Sequence, residues 1–113
     1  MQALEASRII TDEYSAKILL ATLENPKTAV ELNREMNIPI AACYRRIRTL
    51  EERGLLKCVE VRSTFEGKHI AAYESMLKRA SVFLENGTIK TRFEMVSGES
   101  EDFFMDWHGW RKE

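Results

Sequence analysis

Residues 30–56 read VELNREMNIPIAACYRRIRTLEERGLL. A short apolar-striped segment is followed by a break and then by a longer segment carrying Arg45, Arg46 and Arg48. Thr28 can cap a helix in which Val30, Leu32 and Met36 form one narrow apolar stripe. Asn37 then supplies the residue that, after glycine, best tolerates a left-handed backbone, so the first helix stops there. Ile38 is placed to plug the angle between two helices. Pro39 lacks only a donor that a first helical turn leaves unpaired anyway. A second helix over 39–53 follows, with Ile40, Cys43, Ile47 and Leu50 recurring at spacings of three and four as its buried face. Ala41, Arg45, Arg48, Thr49 and Glu52 fall on the opposite, outward face. Gly54 ends the helix, and a strand begins at Leu55.

Two helices joined by a tight turn, the second rich in outward arginines, have the shape of a helix-turn-helix reader of double-stranded DNA. On residues 38–56 (IPIAACYRRIRTLEERGLL) and 10–32 (ITDEYSAKILLATLENPKTAVEL), the chain resembles the archaeal winged helix-turn-helix regulators of the ArsR-like type. The resemblance covers roughly the first two-thirds of the chain and fades beyond the wing. It implies a cytoplasmic DNA-binding regulator of transcription. Family members usually carry glycine where this chain has Asn37 and alanine where it has Asn33, and Asn33 is expected to loosen the packing of the two helices. The cysteine pair of the metal-sensing branch has no match here, so metal sensing is not implied.

Working outward, Thr11, Asp12 and Glu13 favour a helix start, and Tyr14, Ile18, Leu19 and Leu23 form a core stripe that ends before Pro26. Residues 1–10 read equally as a short strand or a short helix. After Gly54, residues 55–62 are rich in β-branched and apolar side chains, 63–67 form a turn, and 68–73 return. That is a wing over 55–74, whose tip offers Arg62, Thr64, Lys68 and His69 for backbone contact with Glu66 opposing them.

Asn86-Gly87, between Val82, Phe83, Leu84 and the alternating Ile89, Thr91, Phe93, predicts a second hairpin over 77–96. The competing reading is a helix over 71–85 with Tyr73, Leu77, Ala80 and Leu84 on one face and Gly87 as its cap. An alternating strand leaves an exposed edge, which invites pairing with another chain. Residues 97–100 read as a flexible link. Phe103, Trp107 and Trp110 then recur at helical spacing and predict a short terminal helix. This acidic aromatic tail, 97–113, would dock on its own core, on a dimer mate or on a protein partner.

The expected architecture is therefore α+β: a winged helix-turn-helix over 1–76, with a three-helix core and a wing hairpin, a β-hairpin extension over 77–96, and the tail. At 113 residues, with 44% hydrophobic and 31% charged side chains, the chain suits one soluble domain. No apolar run approaches a membrane span, and MQALEASR lacks the apolar centre of a secretory leader, so no membrane partner is expected. Cys43 and Cys58 have no ligand spacing and read as small core residues. His69 and His108 stand without metal-ligand neighbours, and no serine or cysteine lies in a nucleophile motif. No enzyme, metal or cofactor is expected.

The formal net charge of −1 is unusual for a nucleic-acid binder. Its distribution matters more. Residues 99–113 hold five carboxylates against two cations, and the remainder holds thirteen against fifteen. Salt confines each charge to roughly 8 Å, so a basic stripe on an acidic protein still attracts phosphate. Ile40, Ala41, Tyr44 and Arg45 are the candidates for base contact, Arg46 and Arg48 for flanking phosphates, and Arg62 and Lys68 for the wing. A homodimer reading paired half-sites is expected. Two other readings compete: arginines locked into a salt-bridged surface, with Arg48 and Glu52 an i, i+4 pair, and a winged-helix docking module that does not touch DNA.

Overall fold

The computed structural model describes residues 1–106. Ten elements follow one another: α1 (Ala3–Thr11), α2 (Glu13–Glu24), β1 (Lys27–Thr28), α3 (Ala29–Met36), α4 (Ile40–Glu52), β2 (Leu56–Ser63), β3 (His69–Ser75), β4 (Leu77–Glu85), β5 (Thr88–Met95) and β6 (Ser100–Asp106). From α2 to β3 they form a winged helix. β1 pairs antiparallel with β3, and β3 with β2, in the order β1-β3-β2.

Local chemistry sets the boundaries. Asp12, one residue later than Thr11, caps α2 by accepting from the Ser15 amide at 2.9 Å. Thr28 opens α3 with a reciprocal capping box: its hydroxyl accepts from the Glu31 amide, and Glu31 Oε1 accepts from the Thr28 amide. Asn37 ends α3 at φ 56°, the left-handed conformation expected of it. Ile38 is fully buried beneath the turn. Asn33 does not loosen this turn, because its Nδ2 donates to the Ile38 carbonyl at 2.6 Å and fastens α3 to the start of α4.

The core gathers Ile18, Leu19, Leu32, Ile38, Ala42, Cys43, Ile47, Leu50, Leu55 and Leu56. Two stripe positions differ from expectation. Val30 and Ile40 are each about two-fifths exposed, and Ala29 and Ala42 take the buried places instead. Both helices turn slightly from the simple stripe, and so Ile40 joins the outward face of α4.

The second half is one sheet rather than a hairpin and a helix. β4, β5 and β6 form a three-stranded antiparallel sheet in that order. Asn86 and Gly87 both have positive φ, 52° and 72°, as a two-residue type I′ hairpin requires, so residues 77–85 form a strand and the alternative helix does not. The link at 97–100 is a tight turn: the Gly98 amide donates to the Met95 carbonyl, and the Met95 amide to Glu99. Residues 100–106, expected in a terminal helix, form β6 on β5. Phe103 packs edge-on against Phe93 with centroids 5.2 Å apart and rings at 66°, and strand alternation buries it where helical spacing would have required Trp107 as well. Trp107 and Trp110 lie outside the described residues.

Residues 3–11 are helical because this sheet needs a cover. Ala3 and Ala6 are fully buried against it. Buried Thr91 donates to the Ala3 carbonyl at 2.8 Å and meets the Ser7 hydroxyl at 2.7 Å. A single residue, Met76, joins the two sheets. Its amide donates to Leu55 and its carbonyl accepts from Val96. The result is elongated, 60 × 29 × 20 Å, with a Cα radius of gyration of 16.2 Å, against about 13 Å for a compact chain of this length.

Candidate nucleic-acid interface

α4 projects Ile40, Ala41, Tyr44, Arg45, Arg48 and Thr49 away from the core, and all six are exposed. Tyr44 is 57% exposed. Among the described residues, neither Arg45 nor Arg48 has a carboxylate within ion-pair distance, so the Arg48–Glu52 pair of the competing salt-bridged reading does not form. The first turn of α4 carries no acidic residue and no capping side chain, which leaves amide donors at its N-terminus open to an anion.

The other arginines of this region are committed elsewhere. Arg46 was expected to flank the groove toward phosphate, but it points back to Asp12, donating from Nε at 2.8 Å and Nη2 at 3.1 Å, with its guanidinium 5.8 Å from the centre of the Tyr14 ring. The Arg46 hydrogen bonds are the largest cause holding the Asp12 carboxyl at a pKa of about 2, and they raise that of Arg46. Arg46 is thus a strut between α4 and the cap of α2. Arg53 pairs with Glu5 and ties α4 to α1.

Arg62 is similarly turned inward. Its Nη1 donates to Glu31 at 2.6 Å, Nε to Glu60 at 3.3 Å, and Nη2 to the Pro26 carbonyl at 3.3 Å. Hydrogen bonding to Glu60 is the largest cause raising its pKa. Glu31 is held below the usual carboxylate range first by the Thr28 amide and then by Arg62. Arg62 therefore braces the wing against α3 rather than reaching from its tip. Lys68 remains three-quarters exposed at the tip, with Glu66 at 3.9 Å.

Phe65 also belongs to this face of the wing, and its residue type gives no signal of it. At the apex of the wing it is fully exposed, and no pattern in the sequence marks an aromatic ring in a polar turn as deliberate. Between wing and helix, Ala29, Val30, Tyr44, His69, Ile70, Ala71 and Tyr73 line a cleft of about 200 Å³. Burial is the first cause raising the Tyr73 hydroxyl pKa. Tyr44 of α4 and His69, Ile70 and Ala71 of β3 line this cleft together, so the exposed surface of α4 adjoins the wing. Among the described residues, no group of three or more His, Cys, Asp or Glu side chains could hold a metal ion, and no helix is long and apolar enough to cross a membrane. Cys43 is buried, and burial raises its thiol pKa.

Residues 10–59, from the end of α1 into β2, match the family model described as a helix-turn-helix domain. No curated protein matches the chain.

Proposed function

We propose that this chain is a sequence-specific, double-stranded-DNA-binding transcriptional regulator of the ArsR-like type. It acts as a homodimer that lays α4 in the major groove and the wing along the adjacent backbone. One observation carries the reading: of the four arginines of residues 45–53, two are locked into ion pairs, and the two that point outward, Arg45 and Arg48, have no ion-pair partner among the described residues. A carboxylate three or four residues away would stabilise such a charge by about 0.2–0.5 kcal/mol. Leaving them free on one face suits a polyanionic partner.

Roles follow from position. Arg45, with Ile40, Ala41 and Tyr44, lies on the N-terminal two turns that approach base edges in such a docking, and a bidentate contact to guanine suits its fork. Arg48 stands one turn further on and is assigned to phosphate. Lys68 takes a phosphate beside the groove. Phe65 supplies an apolar ring of the kind that wedges into a minor groove.

The test is selection from a random duplex pool with the intact protein, repeated with Arg45→Ala. The parent enriches one motif, with two half-sites about one helical turn apart. Arg45→Ala enriches a motif degenerate at one position of each half-site. Failure to retain any duplex would refute the reading and favour a winged-helix docking module.

A further inference from the structure

We propose that β4 is the seam of the homodimer: two copies pair antiparallel along their β4 edges about a two-fold axis at Val82, joining their sheets into one of six strands. This deepens the dimer proposed above by naming its surface.

The hairpin geometry decides which backbone groups are available. Residues 85 and 88 flank the two-residue turn and exchange hydrogen bonds, so 83, 81 and 79 also direct their amides and carbonyls to β5. Ala80, Val82 and Leu84 therefore direct theirs to the open side, where no backbone partner lies among the described residues. Their side chains share the face on which α1 packs, yet α1 covers β5 and β6. This leaves Val82 49% and Leu84 79% exposed.

A two-fold axis at Val82 places it opposite the partner subunit's Val82, and Ala80 opposite the partner subunit's Leu84. In that register all three outward-facing residues meet outward-facing residues, so the ladder closes with paired backbone bonds. On the other face Arg79, which lies 3.6 Å from its own cross-strand neighbour Glu94, also comes opposite the partner subunit's Glu85, an opposite-charge contact that occurs twice by symmetry. An axis at Ser81 instead sets Lys78 against leucine and Leu77 against Glu85.

The surface beside Ala80 supplies the complement. Ile10, Leu19, Leu20, Leu23, Leu77 and Ala80 line an apolar cleft of about 200 Å³, and Leu20 on its rim is 72% exposed. A leucine entering opposite Ala80 fills it, so each copy offers one exposed leucine and one cleft. The sheet's other edge is unsuited to a second copy. β6 carries Glu101, with Glu99 in the turn before it, while Asp102 is held by Arg92 of β5 at 2.8 Å; the like charges of Glu99 and Glu101 oppose self-pairing.

Sedimentation equilibrium of the intact protein without DNA tests this separately from the DNA-binding reading. The parent is expected to be a dimer at about 10 μM. Leu84→Lys, which alters only an exposed side chain, is expected to keep the parent circular dichroism and weaken the dimer by roughly 100-fold or more. Cross-linking fixes the register. In a Cys58→Ser background, Val82→Cys forms a disulfide-linked dimer under mild oxidation. Leu84→Cys does not, because the two substituted positions lie four residues, about 13 Å, apart. A monomeric parent, with the face covered by another partner or by the chain itself, overturns the proposal. So does an unaffected Leu84→Lys dimer, or equal cross-linking at 82 and 84.

Discussion

Replacing Asp12 by Asn removes the charge that holds α4 while keeping a side chain able to cap α2. Asp12 takes two hydrogen bonds from Arg46 and one from the Ser15 amide, which draw its pKa from 3.8 to about 2. At about 1.4 kcal/mol per pH unit, that depression sets an upper bound of roughly 2.5 kcal/mol. Both side chains are about one-third exposed, and solvent screening reduces the contribution to about 1 kcal/mol. The expected loss is therefore about 4 °C in Tm at pH 7. Because the folded carboxyl is more acidic than the unfolded one, its stabilisation is fully present above the ordinary pKa near 3.8 and disappears as pH falls through about 2. Urea unfolding of parent and Asp12→Asn should show a constant gap from pH 7 to about 5 that closes between pH 4 and 2. Asp12→Ala also removes the cap and should cost about 1 kcal/mol more. An Asn variant as stable as the parent at pH 7, or a gap that survives acidification, would refute the strut.

Arg62→Ala should lower Tm but leave the slope of log K against log salt unchanged, whereas Lys68→Ala should reduce that slope by about 0.9 with the parent Tm. Phe93→Ala, at a site 1% exposed beneath Phe103, should cost about 3–5 kcal/mol in chemical denaturation. Asn37→Val should cost about 1–2 kcal/mol because a β-branched residue must occupy φ 56°, while Asn37→Gly should stay within about 0.5 kcal/mol of the parent, measured the same way. Deleting residues 97–113 should lower Tm by several degrees, since it removes β6 and uncovers Phe93.

The helix-turn-helix was legible because its signals are local. Thr28 and Glu31 form a capping box, Asn37 stops a helix, and Asn86-Gly87 makes a type I′ turn from neighbours alone. The wing followed from β-branched content for the same reason. What escaped depended on distant partners. Residues 1–10 are ambiguous until a distant sheet needs a cover, and Thr91 bonding to Ala3 across 88 positions is invisible in either segment. Phe103, Trp107 and Trp110 have helical spacing, yet β5 leaves an edge that residues 100–106 complete, and pairing outweighs spacing. Within the site, exposure of Arg45 and Arg48 could be read from helical period. The diversion of Arg46 to Asp12 and of Arg62 to Glu31 could not, since those two carboxylates lie 34 and 31 residues away.

Fluorescence anisotropy of a selected duplex and its scrambled counterpart, titrated with parent, Arg45→Ala and Arg48→Ala, tests most directly whether α4 reads DNA. The parent should prefer the selected duplex. Arg45→Ala should lose about 1–3 kcal/mol on it and little on the scrambled one. Arg48→Ala should weaken both equally and reduce the salt slope by about 0.9. Parent-like binding by both variants, with Tm unchanged, would show that the outward face of α4 does not meet DNA.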